Sequence, residues 1–245
     1  MDTASPGGQP AAAGDPIPIV LVPGLLCTPR LYAEQLPALW RFGQVTVADH
    51  TRDDSIAGIA RRLLAAAPPR FALVGLSMGG YTAFEVMRQH PGRVARLALL
   101  DTSALADTPA QHERRRGMMA LAREGRFDEV LDPLFQSWVH RSHRTDAALR
   151  QIVSQMAHDT GPEAFVRQQS AIMTRPDSRP VLGAIRCPTL VLVGDGDEST
   201  PPDRAAEIAQ GISGSWLITI PEAGHLTTLE QPERVALALT DWLRS

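Results

Sequence analysis

The sequence predicts an open, doubly wound α/β fold: a mostly parallel sheet of about six strands, with a helical segment inserted after the fourth. Three observations predict it. Short apolar runs such as IPIVLV (17–22), FALVGL (71–76) and PTLVLVGD (188–195) have strand length, and their near-continuous apolar character is that of strands buried on both faces. Helical patterns alternate with these runs, which is the signature of a parallel sheet covered by helices. One stretch, residues 104–182, interrupts the alternation and contains no strand-like run.

Taken in order, the elements begin after residues 1–16, MDTASPGGQPAAAGDP, a Pro/Gly/Ala-rich segment that reads as a disordered tail. It has neither the charged n-region nor the apolar h-region of a secretory leader, so a cytoplasmic location is expected. IPIVLV is the first strand, residues 29–38 read as helix, and QVTVAD (44–49) is the second strand. A helix over about 55–67 follows, with Ile56, Ile59, Ala60, Leu63 and Leu64 on one face. FALVGL is the third strand, a helix covers about 78–90, and VARLALLD (94–101) is the fourth strand. PTLVLVGD and SWLITI (215–220) are the fifth and sixth, and the last helix covers about 232–243. This partition makes 17–103 and 183–245 one core of a chain long enough to bury it.

The segment 104–182 reads as four amphipathic helices, about 109–124, 127–140, 145–158 and 162–174, separated by breakers at Gly125, Gly161-Pro162 and Pro176. It is rich in arginine and methionine. An ordinary crossover needs one helix of 10–15 residues, so this segment is expected to form a separate helical layer over the sheet edge. Met118, Met119, Met156, Met173, Phe135 and Trp138 are candidates for an apolar cavity, although most residues at helical spacing serve as core.

Composition excludes several classes of function. The formal net charge is −3 with a pI of about 6.2, and no basic run suggests nucleic acid or an anionic membrane. The apolar runs fall far short of the roughly 20 residues of a membrane span. All 24 basic residues are arginine, which rules out a lysine Schiff base and a phosphate loop of the GxxxxGK[ST] type. The two cysteines, Cys27 and Cys187, have neither metal-ligand spacing nor a disulfide framework. No metal and no cofactor are expected, and the expected partner is a small molecule, bound by a monomer or small homo-oligomer.

The sharpest motif is GLSMG (75–79), a serine between two glycines where a strand meets a helix. Chance alone supplies about 0.08 such G-x-S-x-G patterns in a chain of this composition. At that position the pattern is a nucleophile elbow, which lifts the Ser77 hydroxyl out of the carboxyl edge of the sheet beside the positive end of a helix. Serine needs a base, and the base needs an orienting acid, in the chain order Ser, Asp/Glu, His. His225 is the one histidine beyond the fifth strand and follows the sixth by a short loop. For the acid, GDGDEST points first to Asp197, set back from the strand end; Asp195 and Asp101 remain open. The oxyanion is expected to be held by two backbone N–H groups, those of Met78 and of Leu25 in PGLLC. His50, after the second strand, is read as a pocket or solvated loop residue, and Cys27 as a buried structural thiol.

VPGLLC, GLSMGG, PTLVLVGDGDESTPP and IPEAGHLTTLEQPE, in that order with a helical insertion between the second and third, resemble the α/β-hydrolase superfamily over about residues 17–243. The chain is most similar to small bacterial hydrolases related to enol-lactonases, haloperoxidase-like esterases and pimeloyl-carrier methyl esterases. The resemblance implies a Ser77/Asp197/His225 triad, with the Gly194-x-x-Asp197 spacing supporting the acid, and implies that 104–182 is a cap domain. Three departures stand out. Pro23-Gly24 replaces the usual His-Gly of the oxyanion loop, ADHTRDDS replaces a glycine-rich segment after the second strand, and the usual N-terminal hairpin is missing before IPIVLV.

The function expected on these grounds is a metal-free serine hydrolase that cleaves a small carboxylic ester or lactone through an acyl-enzyme. A ligand-binding receptor on the same scaffold, with little turnover, is the alternative.

Overall fold

The computed structural model describes residues 16–245; the N-terminal tail expected over 1–16 lies, apart from Pro16, outside the described residues. Six strands, β1 (Ile19–Val22), β2 (Val45–Val47), β3 (Phe71–Leu76), β4 (Val94–Leu100), β5 (Thr189–Gly194) and β6 (Trp216–Ile220), form one sheet in the order β2-β1-β3-β4-β5-β6. Every neighbouring pair is parallel. The chain leaves β1 toward β2 on one side and returns to β3 on the other. Loops leaving β1 and β3 therefore diverge from adjacent strand ends, the switch point at which open sheets bind ligands. The register sets Val22 beside Gly75, so residues 23–28 and Ser77 emerge side by side.

Strand side chains alternate between two apolar layers. Ala72, Val74 and Leu76 of β3 join one layer with Val235, Leu239 and Trp242 of the last helix (Pro232–Arg244). Phe71 and Leu73 join the other with Leu63 of α2 (Ile56–Ala66), Phe84 of α3 (Met78–Gln89) and Ile208 of α8 (Pro202–Gly211). Each leucine or phenylalanine fully removed from water contributes about 1.5–3 kcal/mol. Two-sided burial holds for β1, β3 and β5 but fails at the sheet edge. Trp216 and Leu217 of β6 are each 43% exposed, because this strand has one neighbour.

The single helix expected over 29–38 is divided into a 3-10 turn (Pro29–Tyr32) and a short helix α1 (Leu36–Leu39). Pro37 explains the division: without an N–H it suits only the first turn of a helix, so a new helix starts there.

Between β4 and β5 the chain is helical: α4 (Pro109–Arg123), α5 (Asp128–Trp138), α6 (Ala147–Met173) and α7 (Arg179–Leu182). Thr108 and Gln111 form a reciprocal capping box at the start of α4. The third and fourth expected helices run together as α6, whose backbone breaks at Gly161, with φ 78° and ψ 163°, before Pro162. Met119, Met156 and Phe135 are buried, the last two within the apolar layer. Among the described residues no helix is long and apolar enough to cross a membrane.

Candidate active site

The strand β3 ends in a turn that places Ser77 at φ 54°, ψ −114°, a backbone conformation that a β-carbon disfavours. The flanking glycines make the turn possible. A β-carbon on Gly75 would lie 2.3 Å from the Gly79 carbonyl oxygen, and one on Gly79 would lie 2.0 Å from that of Val22. The turn is tied down by the Ser77 N–H donating to Leu100 O at 3.0 Å and by the Thr102 hydroxyl donating to Ser77 O at 2.8 Å. Of the four non-glycine residues with positive φ among the described residues, Leu26, Ser77 and Asp101 all stand just beyond the carboxyl ends of β1, β3 and β4. Backbone strain is thus concentrated at one edge of the sheet.

His225 reaches the same point from the loop after β6. Its Nε2 lies 2.8 Å from Ser77 Oγ, and its Nδ1 lies 2.8 Å from Asp197 Oδ2. Asp197, with its side chain fully buried, also accepts bonds from the Ser199 and Thr200 N–H groups at 2.8 and 2.9 Å and from the Thr200 hydroxyl at 2.8 Å. A carboxylate held by these donors is fixed in place and paired despite burial. The other candidate acids go elsewhere. Asp195 accepts from the Ala223 N–H. Asp101 accepts from the Gly194 N–H at 3.0 Å and from the Thr227 hydroxyl at 2.5 Å. Burial, with the neighbouring charge of Asp197, pushes the Asp101 carboxyl well above the usual carboxylate range.

The Met78 N–H opens α3, and the Leu25 N–H belongs to the loop after β1. Neither donates to another protein group among the described residues. The neighbouring atoms of that loop are fixed. His50 Nε2 lies 2.9 Å from Gly24 O, and the Leu26 N–H donates to Gln168 Oε1 of α6 at 3.1 Å. His50 is therefore neither a pocket residue nor a solvated one: it is 2% exposed, supports the loop from behind, and burial lowers its pKa. Cys27 is buried, and burial pushes its thiol up to about 12, as suits a structural residue.

A cavity of about 300 Å³ opens beside Ser77 and His225. Met118 and Trp138 line it; Met119, Met156, Met173 and Phe135 do not. The apolar cavity expected from the methionines is replaced by a mixed one, whose wall includes Arg114, Arg115, Arg175 and Arg204. Arg115 and Arg175 are buried against Asp107. Burial alone would raise the Asp107 pKa, but its bonds to the two guanidinium groups outweigh that effect and hold it below the usual range.

Sequence reasoning missed Glu230. Its fully buried carboxylate accepts from the His140 N–H at 2.7 Å, lies 2.9 Å from His143 Nδ1, and accepts from the N–H groups of Gly224 and Leu226 at 2.9 and 3.3 Å. It thereby joins the helical segment to the His225 loop. The only signal in the sequence was its place five residues beyond His225, at the end of HLTTLE.

Comparison with known proteins gives the family and the fold. A family model described as the alpha/beta hydrolase fold matches residues 32–232. A pimeloyl-[acyl-carrier protein] methyl ester esterase of Neisseria meningitidis serogroup B is 25% identical over 221 residues, which cover 85% of this chain and 84% of the relative. Among solved structures, a thermophilic esterase from Thermogutta terrifontis in a malate-bound form superposes with a TM-score of 0.85 at 31% identity, covering 95% of this chain and 91% of that one. The enol-lactonase from Burkholderia xenovorans LB400 also superposes with a TM-score of 0.85, at 23% identity over 96% and 94% of the two chains, and so shares the fold.

Proposed function

The chain belongs to the alpha/beta hydrolase fold family, and from that premise we propose that it is a serine hydrolase of small carboxylic esters or lactones, acting through an acyl-enzyme. The observation that carries this reading is the unbroken chain of contacts from Ser77 Oγ through the His225 ring to Asp197, each 2.8 Å long. Ser77 attacks the ester carbonyl as His225 Nε2 takes its proton. Asp197 keeps Nδ1 protonated, so that Nε2 is the basic nitrogen, and stabilises the imidazolium that forms. The tetrahedral oxyanion is held by the N–H groups of Leu25 and Met78, which donate to no other group among the described residues. His225 returns the proton to the leaving alcohol. It then activates a water that releases the acid and restores Ser77. These residues supply nucleophile, base and electrophilic donors without a metal ion.

The helical segment 104–182 acts as a cap in this reading, since its residues supply much of the cavity wall. The esterases from Neisseria and Thermogutta, at 25% and 31% identity, support an ester as the substrate.

Labelling with a fluorophosphonate, followed by peptide mass spectrometry, tests the reading without a guess at the substrate. Modification is expected on the Ser77 peptide of the wild type and is expected to disappear in His225→Ala. Ser77→Ala should lower kcat on an activated ester by several orders of magnitude. An unlabelled Ser77 in folded protein, together with a Ser77→Ala variant as active as the wild type, would remove the serine from the mechanism.

A further inference from the structure

Among the described residues the cavity wall holds four arginines and no aspartate or glutamate. Two of the four are built into the protein: the side chains of Arg115 and Arg175 are 11% and 6% exposed. Both contact Asp107, Arg115 through Nε at 2.6 Å and Arg175 through Nη1 at 2.7 Å. Two guanidinium groups against one carboxylate leave this buried cluster with a net positive charge. A buried charge without a counterion is costly unless something binds it.

The hydrogen bonds point the same way. Arg175 spends its donors on Asp107, Ile172 O and Leu105 O, and its guanidinium stacks 4.0 Å from the Tyr81 ring centroid, so it is largely occupied. Arg115 is less occupied: Nε and Nη2 meet Asp107, and Nη1 meets Gln169 Oε1. A guanidinium has five N–H donors, so each Nη of Arg115, a residue of the cavity wall, keeps one hydrogen that no described residue accepts. Arg114, the next residue on α4, is exposed and has no carboxylate partner among the described residues. Among the described residues Arg204 has only a loose ion pair with Asp203, at 3.6 Å.

We propose that the substrate's acyl part carries a second acid group, an ionised carboxylate, which Arg115 binds with Arg114 at the cavity rim. The preferred ester is then a half-ester of a short dicarboxylic acid, and water converts it to the dicarboxylic acid. This inference rests on the serine-hydrolase reading of the same site. The acyl part is the one that matters because it stays bound through both half-reactions, whereas the alcohol leaves after the first. A cation that holds it contributes in acylation and again in deacylation. The cavity volume of about 300 Å³ suits a ligand of that size.

The test compares 4-nitrophenyl hydrogen adipate, whose acyl chain ends in a carboxylate, with 4-nitrophenyl hexanoate, the neutral chain of equal length. The wild type should show kcat/KM higher for the adipate half-ester by about tenfold or more, the scale of one charge-assisted hydrogen bond. In Arg115→Gln the ratio of the two values should fall by about tenfold. Arg114→Gln, a change on an exposed side chain that cannot collapse the core, should lower the ratio by about threefold and covers the case in which Arg115→Gln does not fold. Hexanoate turned over as well as the half-ester by the wild type would overturn the inference while leaving the serine hydrolase intact. Failure on both esters, with Ser77 unlabelled by fluorophosphonate, would overturn the parent reading.

Discussion

Ser77 occupies a backbone conformation that serine avoids, and a single substitution beneath it separates two roles for buried acids. Asp197 and Asp101 sit near one another, yet only Asp197 touches the histidine. Asp197→Asn should lower kcat by about 10³-fold or more, because an amide in that place favours the wrong imidazole tautomer. Asp101→Asn should retain most activity, since an asparagine can still accept from the Gly194 N–H and reach the Thr227 hydroxyl. The two variants should also differ in stability. The folded state keeps the Asp101 proton that the unfolded chain releases. Its contribution is therefore fully present below about pH 4 and is lost as pH rises through the elevated folded value. Wild-type unfolding free energy should carry that downward component above pH 4, and Asp101→Asn should flatten it. Urea melts at pH 5 and pH 8, together with kcat on an activated ester, measure both. A wild type and an Asp101→Asn variant with the same pH dependence would show that Asp101 ionises normally.

The oxyanion loop shows the same logic at the scale of an element. Residues 23–28 leave β1 with Leu26 at φ 59°, a strained turn closed from within by the Cys27 N–H donating to Gly24 O at 3.1 Å and braced by two side chains from elsewhere. His50 holds Gly24 O from the segment after β2, and Gln168 of the inserted helices holds the Leu26 N–H. A trans peptide points its C=O and N–H in opposite directions. Fixing Gly24 O against His50 therefore fixes the direction of the Leu25 N–H, which belongs to the same peptide plane. His50→Ala should lower kcat by about tenfold, less than the 10²–10³ expected for deleting an oxyanion donor outright. KM should change less than kcat, and His50→Gln, whose amide N–H can reach the same carbonyl, should recover part of the loss. Steady-state kinetics on one activated ester decide it: equal losses in His50→Ala and His50→Gln would assign His50 to packing alone. The segment ADHTRDDS was conspicuous in the sequence as a departure from its relatives. The partner of His50 was not legible there, because a side chain–backbone contact between two loops leaves no periodic trace.

At the scale of the whole molecule, what could be read was what local chemistry enforces. Six strand-length runs, a serine between two glycines, and a histidine after the last strand each have a short-range cause, and each stands where expected. The contacts that unite the two layers have no such cause. Arg175 stands far along the chain from Asp107 and Arg115, and the three meet only when α4 and α6 are packed together, and the edge exposure of β6 follows from its having one neighbouring strand among the described residues. Glu230 is the clearest case, since one carboxylate bridges His140 and His143 of the inserted segment to Gly224 and Leu226 of the core. Between those last two residues lies His225, whose own N–H donates to Trp138 O at the end of α5, 2.6 Å away. The helical segment and the histidine loop thus share one hydrogen-bonded seam. Glu230→Ala removes the acceptor for several buried donors at once and should cost about 2–4 kcal/mol of stability. Glu230→Gln keeps the shape but loses acceptor capacity, so it should be milder in stability and still lower kcat by loosening the histidine loop. If thermal melts show the loss and Glu230→Gln keeps wild-type kcat, the seam stabilises the fold without positioning His225. If kcat falls while the melting temperature holds, the seam acts chiefly by keeping the histidine aimed at Ser77.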